Sequence, residues 1–334
     1  MGGDHAPDEV VHGSTAWARG NPAAEVVLVG DEERVRSIVG PDVPTNVRFE
    51  HAGQVVEMDE HPARALREKK DASILVAMEM VRTGRADAVV TAGHTGAGMA
   101  AAVLRLGRLR GVDRPALAVQ MVTESGPFVL LDIGANPDST AENLHQYAHM
   151  GALFAERVLG VRNPRVALLS IGEEKGKGDA RIQRATELLD ASGLNFVGNI
   201  EGKDLVRHAA DVVVCDAVLG NVTIKFFEGL STFIFDLLRA EFRRPPRGPL
   251  AYLLMKPGLD RIRAVFDYEK LGGSPLLGVR GTVIITHGRA KRRMIGYAIA
   301  VAAAAAQARI PERIAETFSA GPAPAPAPAA EAAP

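Results

Sequence analysis

Short apolar runs alternate along the chain with longer segments in which apolar residues recur at helical spacing. The runs are rich in Val, Ile and Leu and show no polar face, which is typical of strands in a parallel sheet covered on both sides. The pattern predicts nine strands: Glu25–Val29, Val47–His51, Ala86–Thr91, Ala116–Met121, Phe128–Ile133, Arg165–Ile171, Asn195–Ile200, Asp211–Cys215 and Thr282–Ile285.

The segments between these strands predict four helices. They are Pro62–Thr83, Gly98–Leu109, Thr140–Leu159 and Ala180–Ala191. Pro62 suits the first position of a helix, where its missing N–H costs nothing. Strands that alternate with helices favour right-handed crossovers. The sequence therefore predicts an α/β fold: an open, mostly parallel, twisted sheet with helices on both faces.

Residues 222–268 depart from this pattern because phenylalanine is concentrated there. Six of the eleven phenylalanines lie between Lys225 and Tyr268, and two helical patterns, the second being Leu250–Val265, are separated by Pro245–Pro249. Proline breaks the periodicity, so the segment predicts a protruding helical hairpin with arginines along it. An apolar stripe of this kind serves as core, as a dimer interface or as a membrane-surface contact, and the sequence leaves these readings open.

Composition narrows the class of protein. Of 334 residues, 47% are hydrophobic and the formal net charge is −1, which is typical of a soluble protein and argues against binding nucleic acid through bulk charge. The lone Cys215 excludes internal disulfides and fits a cytoplasmic protein. No signal peptide is recognised, and the longest apolar run, Tyr297–Ala306, is too short for a transmembrane helix. We expect residues 1–318 to form one domain and the Ala/Pro-rich residues 319–334 a disordered tail.

Four glycine-rich segments each follow a predicted strand. They are Gly93–Gly98, Asp132–Asp138, Gly172–Asp179 and Gly220–Thr223. Glycine lets backbone N–H groups approach a ligand, and a helix that starts there adds the positive end of its dipole. We therefore expect the four loops to gather at one carboxyl edge of the sheet and to hold phosphate. Neither the dinucleotide-binding nor the P-loop glycine pattern is matched.

Two of these loops carry candidate chemical groups. Lys175 and Lys177 stand between glycines, where an ammonium group suits a phosphate or a developing oxyanion, although a solvated loop has the same composition. Asp132 and Asn136 follow a buried strand, which favours either ligand contact or an Asx turn.

Other reactive side chains are less suggestive. His145 and His149 stand one helical turn apart without a zincin-type glutamate between them, so no metal site is predicted. Cys215 lies in an apolar run and is interpreted as a small buried hydrophobe. Asp216 and Asn221, in the turn that follows, are better placed for function. Since no nucleophile elbow is present, direct attack by a bound substrate is the simplest mechanism.

Two basic clusters stand out against the neutral net charge. Each is either a solvated face or a surface for an acidic protein partner. The first comprises Arg105, Arg108, Arg110 and Arg114, and the second Arg289, Lys291, Arg292 and Arg293.

Five motifs together give the chain a family resemblance that extends from residue 1 to about residue 300. They are MGGDHAP (Met1–Pro7), MDEHPARA (Met58–Ala65), GVDRPALA (Gly111–Ala118), LLSIGEE (Leu168–Glu174) and GGSPLLG (Gly272–Gly278). The chain resembles the bacterial phosphate acyltransferases of phospholipid synthesis, the PlsX family. The resemblance implies a fold like that of isocitrate and isopropylmalate dehydrogenases and phosphotransacetylases, here without a nicotinamide cofactor.

The resemblance also implies an activity and partners. It implies transfer of a long acyl chain from acyl carrier protein to inorganic phosphate, giving acyl phosphate. It implies a homodimer that associates peripherally with the inner face of the cell membrane and passes acyl phosphate to a glycerol-3-phosphate acyltransferase. No cofactor, metal or nucleic acid is expected. The alternatives are a phosphotransacetylase-like enzyme acting on short acyl-CoA and a non-catalytic membrane-surface scaffold.

Loop position suggests a role for each candidate residue. The expected catalytic residues are Lys175, Asn221, Asp179 and Asp132. Phosphate is expected to contact Gly3, Asp4, Gly93, His94, Thr95, Gly96 and Lys177. The acyl donor is expected to contact Asn136, Asp216, Gly220, Phe226 and Phe227.

The chain departs from the family pattern in three places. The family has a strand before the Met-Gly-Gly-Asp motif, and this strand is expected upstream of Met1. The family usually has Asn where His94 stands. The C-terminal motif around His287–Ala290 is only loosely kept and carries more positive charge.

Overall fold

The structure, a computed structural model, describes residues 1–265 and 267–319. Eight strands form one sheet in the order β3-β10-β9-β4-β5-β8-β6-β7, and β1 and β2 pair separately. The strands are β1 Val26–Gly30, β2 Val47–His51, β3 Ala88–Thr91, β4 Ala116–Thr123, β5 Gly126–Leu131, β6 Val166–Leu169, β7 Phe196–Ile200, β8 Val212–Val214, β9 Ser274–Leu277 and β10 Thr282–Ile285.

Helices cover both faces of the large sheet. They are α1 Asp8–Gly20, α2 Glu32–Val39, α3 Pro62–Glu68, α4 Ser73–Arg82, α5 Thr95–Arg105, α6 Ala141–Arg157, α7 Ala180–Asp190, α8 Gly202–Leu205, α9 Ala217–Phe242, α10 Gly248–Val265, α11 Arg292–Gln307 and α12 Ile310–Ser319. A 3-10 helix, Tyr268–Leu271, precedes β9. One core cluster joins α6, α7 and α12 to the sheet, and another, on alternate residues of β4, β5 and β8, includes Ile224 of α9.

The predicted elements are confirmed with three differences. All nine predicted strands are present, but β9 was not predicted because its Ser-Pro-Leu-Leu sequence is short and contains proline. The predicted helix Pro62–Thr83 is two helices, because the chain between them turns to bond Gln54: Ser73 N–H donates to its carbonyl at 2.9 Å. Helices α1, α2, α8, α11 and α12 were also not predicted.

The direction of the strands corrects the expectation that all four glycine loops share one edge. The sheet is mostly parallel, but β9 is antiparallel to both β10 and β4, and β4 is antiparallel to β5. These three reversals turn β5, β8, β6 and β7 opposite to β3 and β10. The loop Gly93–Gly98 after β3 therefore lies at one edge, and the loops after β5, β6 and β8 lie at the other. We call these the Gly93 edge and the Asp216 edge.

The phenylalanine-rich segment forms the two predicted helices, α9 and α10, although α9 already begins at Ala217. Both helices leave large apolar side chains exposed, including Phe226 (67%), Phe233 (59%) and Leu254 (74%). Among the described residues, α9 is the one single helix that is long and apolar enough, by length and composition, to cross a membrane. Helices α11 and α12 together also meet this criterion if the pair, which is bent by 45°, is counted as one span. The expectation of no transmembrane helix considered only unbroken apolar runs and overlooked α9. Phe266 and the tail from residue 320 lie outside the described residues.

A cavity of about 770 Å³ lies between the two sheets. Residues of β1 and β3 line it, together with Met1 and Gly2. Burial of the Met1 amino group lowers its pKa to about 6. A strand ahead of Met1 stays a prediction.

Candidate active site

Three neighbouring strands, β5, β8 and β6, end at the Asp216 edge, and each is followed by a loop that contains a predicted site residue. Ligands of open α/β sheets commonly bind outside the carboxyl ends of strands. These loops and the first turn of α9 contain eight predicted residues. They are Asp132, Asn136, Lys175, Lys177, Asp179, Asp216, Gly220 and Asn221.

Asp132 supports the loop after β5 from inside the fold. Its side chain is fully buried, and its oxygens accept N–H bonds from Leu117, Gly134, Ala135 and Asn136 at 2.8–3.1 Å. Burial raises the pKa of its carboxyl group, while these four bonds favour the charged form. Asp132 therefore acts here as a positioning residue, since it presents no surface to a substrate.

Asn136 fixes the other end of this loop. Its Nδ2 group donates to the Pro115 carbonyl and, at 2.9 Å, to the Tyr147 hydroxyl. Burial raises the pKa of Tyr147, so this hydroxyl stays protonated. These bonds hold the loop against the start of β4, which favours the structural, Asx-type interpretation of Asn136 over direct ligand contact.

Arg181 ties the three loops together, and sequence reasoning missed it. Asp179 caps α7 and Asp216 caps α9 through backbone N–H groups at 2.8–3.0 Å. Arg181 binds Asp216 at 2.8 Å and Asp179 at 3.4 Å, and it also donates to the Ser139 carbonyl at 3.2 Å. Its position in the first turn after a glycine-rich loop was the available signal. Both carboxylates thus serve as caps and Arg181 partners.

Lys175 and Asn221 face solvent beside this network. The Lys175 side chain is 80% exposed and pairs with Asp190 at 2.8 Å, and Lys177 and Asn221 are also exposed. Gly220 sets the position of Asn221, because a Cβ there would lie 2.0 Å from the Asp132 carbonyl oxygen. The first turn of α9 therefore packs directly on the end of β5. Lys177 and the Asn221 amide are therefore exposed at this edge, whereas the Lys175 ammonium group lies against the last residue of α7.

Cys215 and the histidine pair are not among these exposed groups. Cys215 is fully buried, which confirms the interpretation as a small hydrophobe, and burial raises the pKa of its thiol. His145 and His149 bring their Nε2 atoms within 3.3 Å, and burial lowers the pKa of His149 to about 4. Within residues 1–265 and 267–319, no group of three potential metal ligands is found.

The Gly93 edge holds the rest of the predicted phosphate set. Gly3 has φ +122°, and a Cβ there would lie 2.5 Å from the Ala92 carbonyl oxygen, so the N-terminal loop and the loop after β3 touch through backbone. Asp4 N–H donates to the Gly288 carbonyl at 2.8 Å. His94 caps α5, since its Nδ1 accepts from Ala97 N–H at 3.4 Å. The bond requires Nδ1 to be unprotonated.

Helix α9 spans the two edges. It begins at the Asp216 cap, and two turns later Lys225 Nζ lies 3.5 Å from His287 Nε2, in the loop after β10. Burial and the Lys225 charge lower the pKa of His287, which favours the neutral imidazole. Phe226 is exposed next to Lys225, and Phe227 packs against the core cluster that contains Ile224. Sequence reasoning did not assign Lys225 or His287 to the site.

The first turns of α9 connect the two sets of predicted residues, because Asn221 stands one turn before Lys225, which contacts His287 in the loop after β10. Strands β3 and β6 are six positions apart in the sheet, which corresponds to about 29 Å at a strand spacing of roughly 4.8 Å, and their carboxyl ends point in opposite directions. A lysine side chain spans a small part of that distance. Joint binding of one phosphate by Lys177 and the Gly93 loop within a single chain stays a prediction that this strand separation does not favour.

Comparison with known proteins places the chain in a family. The family described as "Fatty acid synthesis protein" matches residues 1–313. A phosphate acyltransferase from Desulfitobacterium hafniense (strain DSM 10664 / DCB-2) is 48% identical over 304 residues, covering 90% of this chain and 91% of the relative. A phosphate acyltransferase from Brevibacillus brevis is 43% identical over 319 residues, 95% of each chain.

Solved structures support the fold. A phosphotransacetylase from Streptococcus pyogenes superimposes with a TM-score of 0.62 at 18% identity, covering 90% of this chain and 91% of that chain. A branched-chain phosphotransacylase from Enterococcus faecalis V583 gives 0.58 at 15% identity, covering 91% and 96%. At such identities the likeness concerns the fold alone. From its sequence relatives, the chain is an acyltransferase that belongs to the phosphate acyltransferase (PlsX) family.

Proposed function

We propose that the protein transfers a long-chain acyl group from acyl carrier protein to inorganic phosphate. A phosphate oxygen attacks the thioester carbonyl, the new C–O bond forms, the C–S bond breaks, and the carrier thiolate leaves as acyl phosphate is made. Phosphate is already an anion at neutral pH, and a thiol with a pKa of about 8.5 leaves without strong acid catalysis. Positioning is then the main contribution of the protein.

The observation that supports this proposal most directly is that the two edges present different kinds of binding group. The Gly93 edge offers backbone N–H groups and the start of α5, which suit a phosphate. The Asp216 edge offers Lys175, Lys177 and Asn221 on its surface, which suit phosphate charge and the thioester oxyanion. We assign Lys175 and Lys177 to phosphate charge, and the Asn221 amide to the oxyanion.

A homodimer would bring groups from the two edges to one substrate. In this proposal the Gly93 edge of one protomer faces the Lys175–Asn221 surface of its partner, so that the Gly93 loop and Lys177, which follow strands six positions apart in the sheet, serve one substrate. Two-fold symmetry would create two such sites per dimer. The exposed apolar side chains of α9, including Phe226, Phe233 and Leu237, supply a surface that a second copy can cover.

The hairpin also supports long-chain over short-chain substrates. Helix α10 exposes Leu250, Leu253, Leu254 and Met255 by 53–74%, next to a turn that contains Arg243, Arg244 and Arg247. Apolar side chains beside arginines suit the surface of an anionic membrane. We propose a cytoplasmic protein bound peripherally to the inner face of the cell membrane, where a glycerol-3-phosphate acyltransferase consumes the acyl phosphate. An acetyl-group transferase would need no such surface.

One assay tests the activity. Purified protein is incubated with palmitoyl-carrier protein or with acetyl-CoA, with and without phosphate, and free thiol and hydroxylamine-trapped acyl phosphate are measured. We expect phosphate-dependent release of both products from the palmitoyl donor and little turnover of acetyl-CoA. Preference for acetyl-CoA would favour the phosphotransacetylase-like alternative, and no phosphate-dependent thiol release from either donor would contradict the proposed reaction.

A further inference from the structure

The first basic cluster lies on an exposed segment at the end of α5. Residues 104–115 contain four arginines and one acid, Asp113. Arg108, Arg110 and Arg114 are exposed, and Arg108 is 3.6 Å from Asp113. In the part of the chain that the structure describes, Arg110 and Arg114 form no ion pair. Their charges are available to a partner.

The second basic cluster is different because the protein's own carboxylates occupy it. Arg292 binds both oxygens of Glu9, and Arg293 binds Asp267 and Glu269. The two clusters looked equivalent in sequence. The structure distinguishes them, since intramolecular ion pairs compensate most of the second cluster's charge and leave Arg110 and Arg114 uncompensated.

Apolar side chains accompany the free arginines. Leu104 is 61% exposed and Val103 is 43% exposed, both in the last turn of α5, next to Arg105. Arg280 donates from its Nε to the Arg108 carbonyl at 3.0 Å and adds a further exposed cation. An apolar centre beside several arginines is the usual composition of a surface that receives an amphipathic acidic helix.

The segment is rigid and adjoins the candidate site. Asp113 N–H donates to Gln146 at 2.9 Å, and Asn143 donates to the Asp113 carboxylate at 2.8 Å, which fixes the segment to α6. Its end, Pro115, accepts the bond from Asn136 of the loop after β5. Arg114 thus belongs to the Asp216 edge, beside a loop of the site. A protein docked here would hold its thioester arm near the Lys175–Asn221 surface of the same protomer.

We propose that Arg110 and Arg114, with Leu104, form the docking surface for an acidic helix of the acyl-donor protein. This inference rests on the proposed function, which identifies that protein as acyl carrier protein. Complementary charge at such a rim speeds association and sets specificity, whereas the chemical step depends on other residues.

A donor-comparison experiment tests the surface. The double variant Arg110→Glu/Arg114→Glu is compared with Arg162→Glu/Arg207→Glu, which makes the same charge change at exposed positions that precede β6 and β8, at the Gly93 edge. We expect the KM for palmitoyl-carrier protein to rise at least about tenfold in the first variant only, with kcat/KM for palmitoyl-pantetheine unchanged. Wild-type KM for the carrier protein should rise with salt, and that of the first variant much less.

Binding measurements separate this proposal from the proposed function. Calorimetry with carrier protein lacking an acyl group needs no turnover, so it tests the surface even if the assigned reaction fails. Arg110→Ala/Arg114→Ala, a milder change, should weaken this binding with an unchanged melting temperature. Unchanged carrier affinity, equal losses with both donors, or loss of binding to anionic vesicles alone would each overturn the docking surface.

Discussion

The two edges of the sheet present ligand-binding groups in opposite ways. At the Gly93 edge Gly3 packs on the Ala92 carbonyl, His94 caps α5 through Nδ1, and the side chains of Lys225 and His287 meet. At the Asp216 edge the helix starts are already capped by carboxylates, which Arg181 compensates, and Lys175 and Asn221 remain exposed. One edge supplies backbone N–H groups together with Lys225 and His287, and the other supplies exposed lysines and an amide. We propose that the reaction uses groups from both edges.

The largest expected effect comes from Asn221→Ala. Loss of one oxyanion donor typically lowers kcat by about 10²–10³-fold. Because Asn221 is exposed, the melting temperature should not change, and the KM for phosphate should stay close to that of the wild type. Steady-state kinetics with palmitoyl-carrier protein checks this. A kcat within about threefold of wild type would remove Asn221 from the chemistry and weaken the case for this edge.

The double variant Lys175→Ala/Lys177→Ala tests whether the lysines of the Asp216 edge bind phosphate. Removal of two charge-assisted contacts, each worth about 1.5–3 kcal/mol, should raise the KM for phosphate by at least about tenfold. Lys203→Ala is the control, because Lys203 is a similarly exposed lysine in ion pairs with Glu201 and Glu173. If the KM for phosphate is unchanged in the double variant, the lysines do not bind phosphate and are simply part of a solvated loop.

Gly220→Ala tests whether the close approach of α9 to β5 positions the site. The added Cβ would lie 2.0 Å from the Asp132 carbonyl oxygen, and backbone must move to admit it. We expect a loss of about 1–3 kcal/mol in the free energy of unfolding. Gly229→Ala in the same helix meets nothing within 4 Å and should stabilise by about 0.5–1 kcal/mol. Equal denaturation midpoints for the two variants would contradict the packing argument.

The smallest effect concerns the ion pairs near the Gly93 edge. Bonding to Arg292 lowers the pKa of Glu9 to about 2, so the charged carboxylate stabilises the fold above its unfolded pKa of about 4.5. This stability is lost as pH falls from about 4.5 to 2. Glu9→Gln should cost at most about 1 kcal/mol at pH 7 and should reduce the acid dependence of the melting temperature. An unchanged pH profile would show that the pair contributes nothing.

The sequence predicted the layers of the fold because apolar runs and helical periodicity report burial directly. It also predicted which loops carry functional groups, since glycine and charge after a strand are local signals. Strand direction is different: β9 reverses the sheet through only four residues, and no local pattern shows that its neighbours run opposite to it. The error about one common edge came from this element and from the antiparallel pairing of β4 with β5.

Side-chain roles in the site were predictable only in part. Asp132 looked like a ligand-facing carboxylate, but its four backbone N–H bonds can be seen only once the loop is folded. Arg181 was missed because its partners, Asp216 and the Ser139 carbonyl, are distant in sequence. The difference between the two arginine clusters was missed for the same reason. It depends on Glu9, Asp267 and Glu269, which are distant in sequence from the arginines they bind and approach them only in the folded chain.

Complementation between two impaired chains, assayed at a phosphate concentration that limits both, tests the central proposal, that opposite edges of two copies serve one reaction. One copy carries Lys175→Ala/Lys177→Ala, and the other carries His94→Asp, which keeps a helix cap but places a negative charge where phosphate would bind. His94→Asn serves as the neutral control. Heterodimers are isolated with two different tags. If the site is shared, each heterodimer has one intact site, and the account predicts about half of wild-type turnover. Heterodimer turnover as low as that of either variant homodimer, or the absence of any dimer, would contradict the account.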